Sequence, residues 1–169
     1  MKLKRITGLM LILLSLIIVL VSAFVYESQT NTVTQTITEI ANITLDPAAL
    51  GSIEEGETIL YTATNTSALD QILTVTTTKA SVYLHFNTNL DGQSGNYTTY
   101  EIVVMVDTQP GSSLSDPVAT LSIANPNTVI DLVDIGTYIF DFQVTTTAQQ
   151  VSANTPTAVT ITVSAESTS

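Results

Sequence analysis

Residues 136–146 read Gly-Thr-Tyr-Ile-Phe-Asp-Phe-Gln-Val-Thr-Thr, in which the largest apolar side chains recur at every second position. Tyr138, Phe140, Phe142 and Val144 are all even-numbered, so in an extended chain they lie on one face. A face of this kind is stable only when it packs against a second layer of structure. The stretch therefore predicts a β-strand that covers a hydrophobic core.

The residues just before this strand predict how it begins. Asp134, Gly136 and Tyr138 form the pattern Asp-x-Gly-x-Tyr, which is typical of the corner that starts a strand in Greek-key sandwiches. The pattern indicates an antiparallel, two-layered fold.

Six further stretches alternate apolar and polar residues, and turn-forming Gly, Pro, Asn and Asp residues separate them. These predicted strands cover residues 58–65, 71–78, 82–88, 97–107, 118–124 and 157–165. Residues 129–134 are predicted as one helical turn. We therefore expect an all-β protein, a single antiparallel sandwich of the Ig-like or jelly-roll type that spans residues 46–169.

The N-terminus has the organisation of a secretory signal. Three basic residues precede an apolar run, and Val-Ser-Ala ends it at Ala23. This order is typical of a signal peptide. We assign residues 1–23 to it, with cleavage between Ala23 and Phe24.

Two other interpretations of the leader stay open. The apolar run approaches the length that spans a bilayer, so the leader is also compatible with a retained membrane anchor. Cleavage after Gly8 would instead give a type IV pilin with a hydrophobic N-terminal helix. The threonine-rich run that follows is a poor helix former, which disfavours this pilin interpretation.

Residues 24–45 are assigned to an N-terminal extended donor strand and linker. Nearly every second residue between positions 30 and 38 is threonine, which favours extended structure over helix. The residues expected to carry the donor contacts are Val33, Gln35, Ile37 and Ile40. The pattern predicts a strand but leaves open whether it joins the sheet of its own subunit or that of a neighbour.

The charge distribution excludes some classes of partner. The chain has 169 residues, of which 44% are hydrophobic and only 11% charged, and it contains no cysteine. After residue 23 one lysine, Lys79, stands against 15 acidic residues, a formal charge of −14. No basic patch is present to bind nucleic acid or anionic lipid, so contact with a membrane is expected only through the leader. This composition suits a secreted protein at the cell surface.

Catalysis finds little support in the sequence. The single histidine, His85, lies on the polar side of a predicted strand and cannot complete a zinc or Cys/His site without further ligands. The acidic residues near Glu54 and Asp91 lack the spacing of a calcium loop, so solvated turns are expected there, with weak calcium binding as the alternative that stays open. Lys79 is expected to be an ordinary surface lysine. We therefore predict no enzyme activity, no cofactor and no metal.

Three sequons provide candidate glycosylation sites at Asn42, Asn65 and Asn96. Asn65 and Asn96 fall at predicted corners, where a glycan is tolerated. Asn42 falls in the N-terminal extended segment and is the weaker candidate if that segment is buried.

The order of these features resembles a known type of protein. The signal peptide is followed by an extended segment that ends in Asn-Ile-Thr-Leu-Asp at Asp46. Next come the stretch Leu-Gly-Ser-Ile-Glu-Glu-Gly-Glu-Thr at residues 50–58 and a strand that closes on Asn-Thr-Ser at residues 65–67. This order is similar to that of the TasA/camelysin family of secreted biofilm fibres. The layout and the low-charge, threonine-rich composition also resemble archaeal bundling pilins.

The resemblance implies a sandwich whose subunits polymerise when the N-terminal strand of one enters a groove of the next. Residues 24–40 would be that strand here. The expected function is a structural subunit of an extracellular filament that serves adhesion and cell cohesion, a head-to-tail homopolymer with lateral bundling. The alternatives are a membrane-anchored surface sandwich and a type IV pilin. The sequence does not identify the acceptor strands.

Overall fold

The computed structural model describes residues 39–150 and 157–167, which belong to one compact unit, residues 38–169. The proposed signal peptide, its cleavage site at Ala23 and Phe24, and the donor residues Val33, Gln35 and Ile37 lie outside the described residues. None of the helices that the structure describes is long and apolar enough to cross a membrane.

The described residues form nine strands and two short 3₁₀ helices. The strands are β1 (Ala41–Leu45), β2 (Thr58–Tyr61), β3 (Leu73–Thr77), β4 (Val82–Thr88), β5 (Tyr97–Thr108), β6 (Ala119–Ser122), β7 (Asn127–Leu132), β8 (Gly136–Ala148) and β9 (Ile161–Ser167). The 3₁₀ helices are Ser67–Leu69 and Leu90–Gln93.

Two antiparallel sheets make up the fold, which confirms the predicted all-β sandwich. The larger sheet has the order β1-β3-β8-β5-β6, and β2 also pairs with β8. The smaller sheet has three strands among the described residues, in the order β7-β4-β9. The sheets therefore differ in width by a factor of two.

Strand β8 organises the larger sheet because it is long enough to pair twice on one side. Its first half pairs with β3, from Gly136 opposite Thr77, and its second half pairs with β2 as far as Thr147 opposite Thr58. Along its other side it pairs with β5. The even-numbered residues of β8 between 138 and 146 are buried, as the sequence predicts.

The core lies between the two sheets. Tyr138, Phe140 and Phe142 from the larger sheet are at most 1% exposed, and they share one apolar cluster with Val82, Leu84 and Phe86 of β4. The inner face of β4 is therefore as fully buried as that of β8.

The predicted corner is present in atomic detail. The Tyr138 hydroxyl accepts a hydrogen bond from the Asp134 N–H at 2.9 Å and donates one to the Asp134 carbonyl at 2.9 Å. Gly136 has φ +142°, and a Cβ on it would lie 2.8 Å from the Pro110 Cβ. Only glycine fits that position without strain.

Two local predictions are wrong. Residues 129–134 are not a helical turn, because Asn127–Leu132 is strand β7 and pairs with β4. Its apolar residues Ile130 and Leu132 alternate with exposed Val129 and Asp131, which is a strand period. The strand predicted at 58–65 ends at Tyr61, where the Asn65 side chain closes a turn by accepting the Thr62 N–H at 2.7 Å.

Candidate functional site

Strand β9 is the last described strand of the smaller sheet, and its hydrogen bonds show which of its backbone groups face away from β4. The Asn89 N–H donates to the Thr160 carbonyl at 3.3 Å, and the Thr160 N–H donates to Asn89 Oδ1 at 2.8 Å. In an antiparallel pair these groups alternate from one side of the strand to the other. Even-numbered residues of β9 therefore bond to β4, whereas the N–H and C=O groups of Ile161, Val163 and Ala165 point away from it.

Strand β1 ends the larger sheet in a matching way. The Thr78 N–H donates to the Ile40 carbonyl and the Asp46 N–H donates to the Ile72 carbonyl, each at 2.9 Å. Even-numbered residues of β1 thus bond to β3, and the odd-numbered ones present their backbone groups to the other side. Strands β1 and β9 approach each other at this side of the sandwich.

The inward side chains of β1 and of residues 161–165 in β9 are apolar, and all but Ala41 are only half-buried. The inward residues of β4 and β8 are almost fully buried, but the inward row of β9 is only half-buried. The half-buried apolar residues packed against the core on this side are Ile43, Leu45, Leu50, Val159, Ile161, Val163 and Ala165. We call this row the β1/β9 seam.

A cleft of about 690 Å³ opens at one end of the seam. Leu45, Leu50, Val159 and Ile161 of the seam line it, so the two features are continuous. Its walls also include core residues such as Phe142, which is 1% exposed. The cleft therefore reaches the hydrophobic interior between the sheets.

Several polar groups stand among these apolar walls. The Tyr97 and Tyr100 rings meet edge to face with centroids 5.0 Å apart, and the Tyr97 hydroxyl lies 2.6 Å from Thr157 Oγ1. Burial, together with the neighbouring Tyr97 and Tyr61 phenols, raises the pKa of Tyr100 to about 12. Thr146 also lines the cleft, is 3% exposed, and its hydroxyl has no hydrogen-bond partner among the described residues.

The structure describes one of the four predicted donor residues. Ile40 is half-buried against the core of its own domain, next to the start of β1. Residues 41–45, which the sequence analysis assigned to the donor segment and linker, pair with β3. Within the described residues, hydrogen bonding to the chain at the end of β3 begins at Glu39, whose carbonyl accepts the Thr78 hydroxyl at 2.9 Å.

The three sequon asparagines have different surroundings. Asn42 is exposed on the outer face of β1. Asn65 is engaged in its turn, because its Nδ2 donates to the Leu60 carbonyl at 2.9 Å. The Nδ2 of Asn96 donates to Gln93 Oε1 at 3.3 Å. Their glycosylation stays a prediction.

The described residues contain no group of three potential metal ligands that could hold an ion. His85 lies on the outer face of β4, with Nε2 3.2 Å from Glu166 Oε2 of β9. Asp141 accepts the Gln71 N–H at 2.7 Å. Burial raises the pKa of Asp141, with repulsion from Asp107 as a further cause.

No family model and no curated protein matches this sequence. The site is therefore defined by its geometry. Sequence reasoning predicted β9 as a strand but missed its role at the edge, since the alternation of residues 157–165 is the same for an edge strand and a central one. A weak signal was available, because the inward side chains of β9 shorten from Ile161 to Val163 to Ala165.

Proposed function

We propose that this protein is the structural subunit of a secreted extracellular filament, in which the N-terminal arm of one subunit (residues 24–38) adds a strand to the β1/β9 seam of the next. The filament would serve adhesion and cell cohesion at the cell surface. The observation that carries the proposal is the seam itself, an apolar row along which β1 and β9 each pair on one side only among the described strands. The sequence resemblance to fibre subunits supports the same function.

The seam provides both kinds of contact that strand addition needs. Ile161, Val163 and Ala165 each offer an N–H and a C=O to an incoming strand, which allows about six ladder hydrogen bonds of about 1 kcal/mol each. Their side chains, with Ile43 and Leu45 opposite, offer an apolar floor. Ladder bonds give affinity in this mode of recognition, and alternate side chains set the register.

The arm has complementary properties. Val33 and Ile37 have the same parity, so in an extended arm they face the same way. Burying them stabilises the contact by about 1.5–3 kcal/mol each before the cost of ordering the arm. Because the contact joins the arm of one subunit to the seam of another, two different surfaces meet, so the contact is head to tail and yields an open filament.

The arm is long enough for a neighbour. Fifteen residues precede the described part of the chain after the proposed cleavage, and an extended strand spans about 3.3 Å per residue, roughly 50 Å in all. Among the described strands β9 pairs with β4 alone, and an edge strand that stays uncovered is an aggregation hazard.

Two variants of the mature chain test the proposal. Ile37→Asp disables the arm by placing a charge on its apolar face, and Val163→Pro disables the seam by removing an N–H that points away from β4. Each variant alone should remain monomeric, whereas the wild type polymerises. An equimolar mixture should give a heterodimer that does not grow, because it contains one intact arm and one intact seam. Light scattering after size-exclusion chromatography and electron microscopy distinguish these states.

Thr162→Pro is the matched control for introducing proline into β9. The Thr162 N–H faces β4, so its loss should destabilise the domain itself, whereas Val163→Pro should not. If the arm instead completes its own subunit, both test variants lose thermal stability as monomers and their mixture forms no heterodimer. Filaments formed by Val163→Pro alone would contradict the proposed seam.

A further inference from the structure

The buried hydroxyl of Thr146 distinguishes the cleft from a purely apolar groove. It lies between Ile59 and Tyr100 on the inner face of the larger sheet, as its pairing in β8 shows. Its hydroxyl is buried and lacks a partner among the described residues. A buried hydroxyl without a hydrogen bond is unfavourable, so its position predicts a partner that arrives through the cleft.

The arm contains a polar residue at the corresponding place. Among the odd-numbered positions that share the apolar face, Gln35 lies between Val33 and Ile37. A strand that buries Val33 and Ile37 also turns Gln35 inward. Its amide then needs hydrogen bonds inside the groove, and its side chain is long enough to enter a cleft beside the strand.

Resting on the proposed function, we propose that Gln35 of the incoming arm enters the cleft and hydrogen-bonds the Thr146 hydroxyl of the receiving subunit. Gln35 carries both a donor and an acceptor, so it matches a hydroxyl in either orientation. The pair fixes the register of the added strand, because a shift by one residue turns Gln35 outward and a shift by two moves it past the cleft. The remaining amide groups face the phenols of Tyr61 and Tyr100, which also line the cleft.

The heterodimer described above measures this pair at a single interface. The subunit with Val163→Pro supplies the arm and receives Gln35→Leu, and the subunit with Ile37→Asp supplies the seam and receives Thr146→Val. Each change alone leaves one buried polar group without its partner and should raise the dissociation constant about tenfold. The two changes together replace the polar pair by an apolar one and should return it to within about threefold of the starting value.

Controls separate this pair from general effects of the substitutions. Thr36→Val lies on the opposite face of the arm, and Thr145→Val lies on the outer face of β8, so each should change the dissociation constant less than about twofold. Thermal unfolding of the Thr146→Val subunit alone verifies that its domain is intact.

The inference would be overturned if the effects of Gln35→Leu and Thr146→Val on the binding free energy simply add in the double variant. It would also be overturned if Thr146→Val leaves the dissociation constant unchanged, which would indicate that water bonds to that hydroxyl. In both cases the heterodimer still forms and the proposed function stands. If no heterodimer forms from the parent pair, the proposed function fails and this inference fails with it.

Discussion

At the scale of single residues, Tyr138 joins the corner to the core. Its ring is fully buried, and its hydroxyl returns four residues to both backbone groups of Asp134. The Asp134 carbonyl also accepts from the Thr77 hydroxyl at 3.0 Å, and that hydroxyl accepts the Gly136 N–H at 3.1 Å. The corner is therefore a small hydrogen-bonded network that links β3 to the start of β8.

Tyr138→Phe should lower the free energy of unfolding by about 1–3 kcal/mol, because it leaves the Asp134 N–H without its acceptor inside the protein. Urea unfolding measures the effect as a lower midpoint with an unchanged slope. Tyr83→Phe is the control, since Tyr83 is 39% exposed on the outer face of β4 and should change stability by no more than about 0.5 kcal/mol. Equal midpoints for both variants would contradict the role of the hydroxyl.

At the scale of elements, β4 and β9 differ in how many neighbours they have. Strand β4 is paired on both sides, whereas β9 is paired with β4 alone among the described strands. The same alternation of side chains occurs in both, so the difference lies in the backbone. This difference controls which amide groups exchange with solvent.

Hydrogen exchange should therefore alternate along β9 in a monomer that carries Ile37→Asp. We expect the amides of Thr162 and Ser164 to be protected by β4, and those of Ile161 and Val163 to exchange at least tenfold faster. In the proposed wild-type filament all four should be protected, because the added strand would bond to the second pair. Exchange measured by mass spectrometry with electron-transfer fragmentation, or by NMR, resolves single amides.

Amides of β4 provide the internal control, since both sides of that strand are paired in the monomer. An even distribution of protection along β9 in the monomer would show that its outer edge is already paired.

The elements also show which parts of the fold could be predicted from the sequence. The alternation at residues 138–144 and the corner at Asp134 depend on local geometry, and both are present in the structure. Strand order depends instead on pairing between distant residues, such as Phe86 opposite Val163, and no local period encodes it. The seam and the cleft arise from that order, which explains why sequence analysis could propose a donor segment but could not locate a groove for it.

The error at residues 129–134 has a related cause. The stretch is short and bounded by turn-forming residues, so its period could be assigned to a helical turn or a strand. Pairing with β4 decided the outcome, since Ile130 lies opposite Leu84 and completes the apolar layer of the smaller sheet.

At the scale of the whole molecule, the net charge would act against close contact between the proposed filaments. Residues 24–169 have a formal charge of −14, with Lys79 as the single lysine or arginine. Repulsion between such filaments would extend over about one Debye length, roughly 30 Å at 0.01 M salt and 10 Å at 0.1 M. Lateral bundling would therefore require screening or bridging ions.

We expect filaments to disperse at about 0.01 M salt with chelator and to bundle as sodium chloride is raised above about 0.15 M. Light scattering follows the transition, and electron microscopy counts filaments in each bundle. Magnesium chloride at matched ionic strength is the control, because bundling at a much lower ionic strength would indicate bridging by the divalent ion. Bundles that persist unchanged in low salt with chelator would exclude screening as the cause.

The position of β1 at the entry of the chain has a mechanical consequence. Ile40 leads directly into β1, whose five residues pair with β3. Tension transmitted through an arm would act on the first residue of β1 and pull it along the strand axis. The β1–β3 bonds lie across that direction and would be loaded together in shear, so the five-residue ladder would set the force at which a subunit begins to unravel.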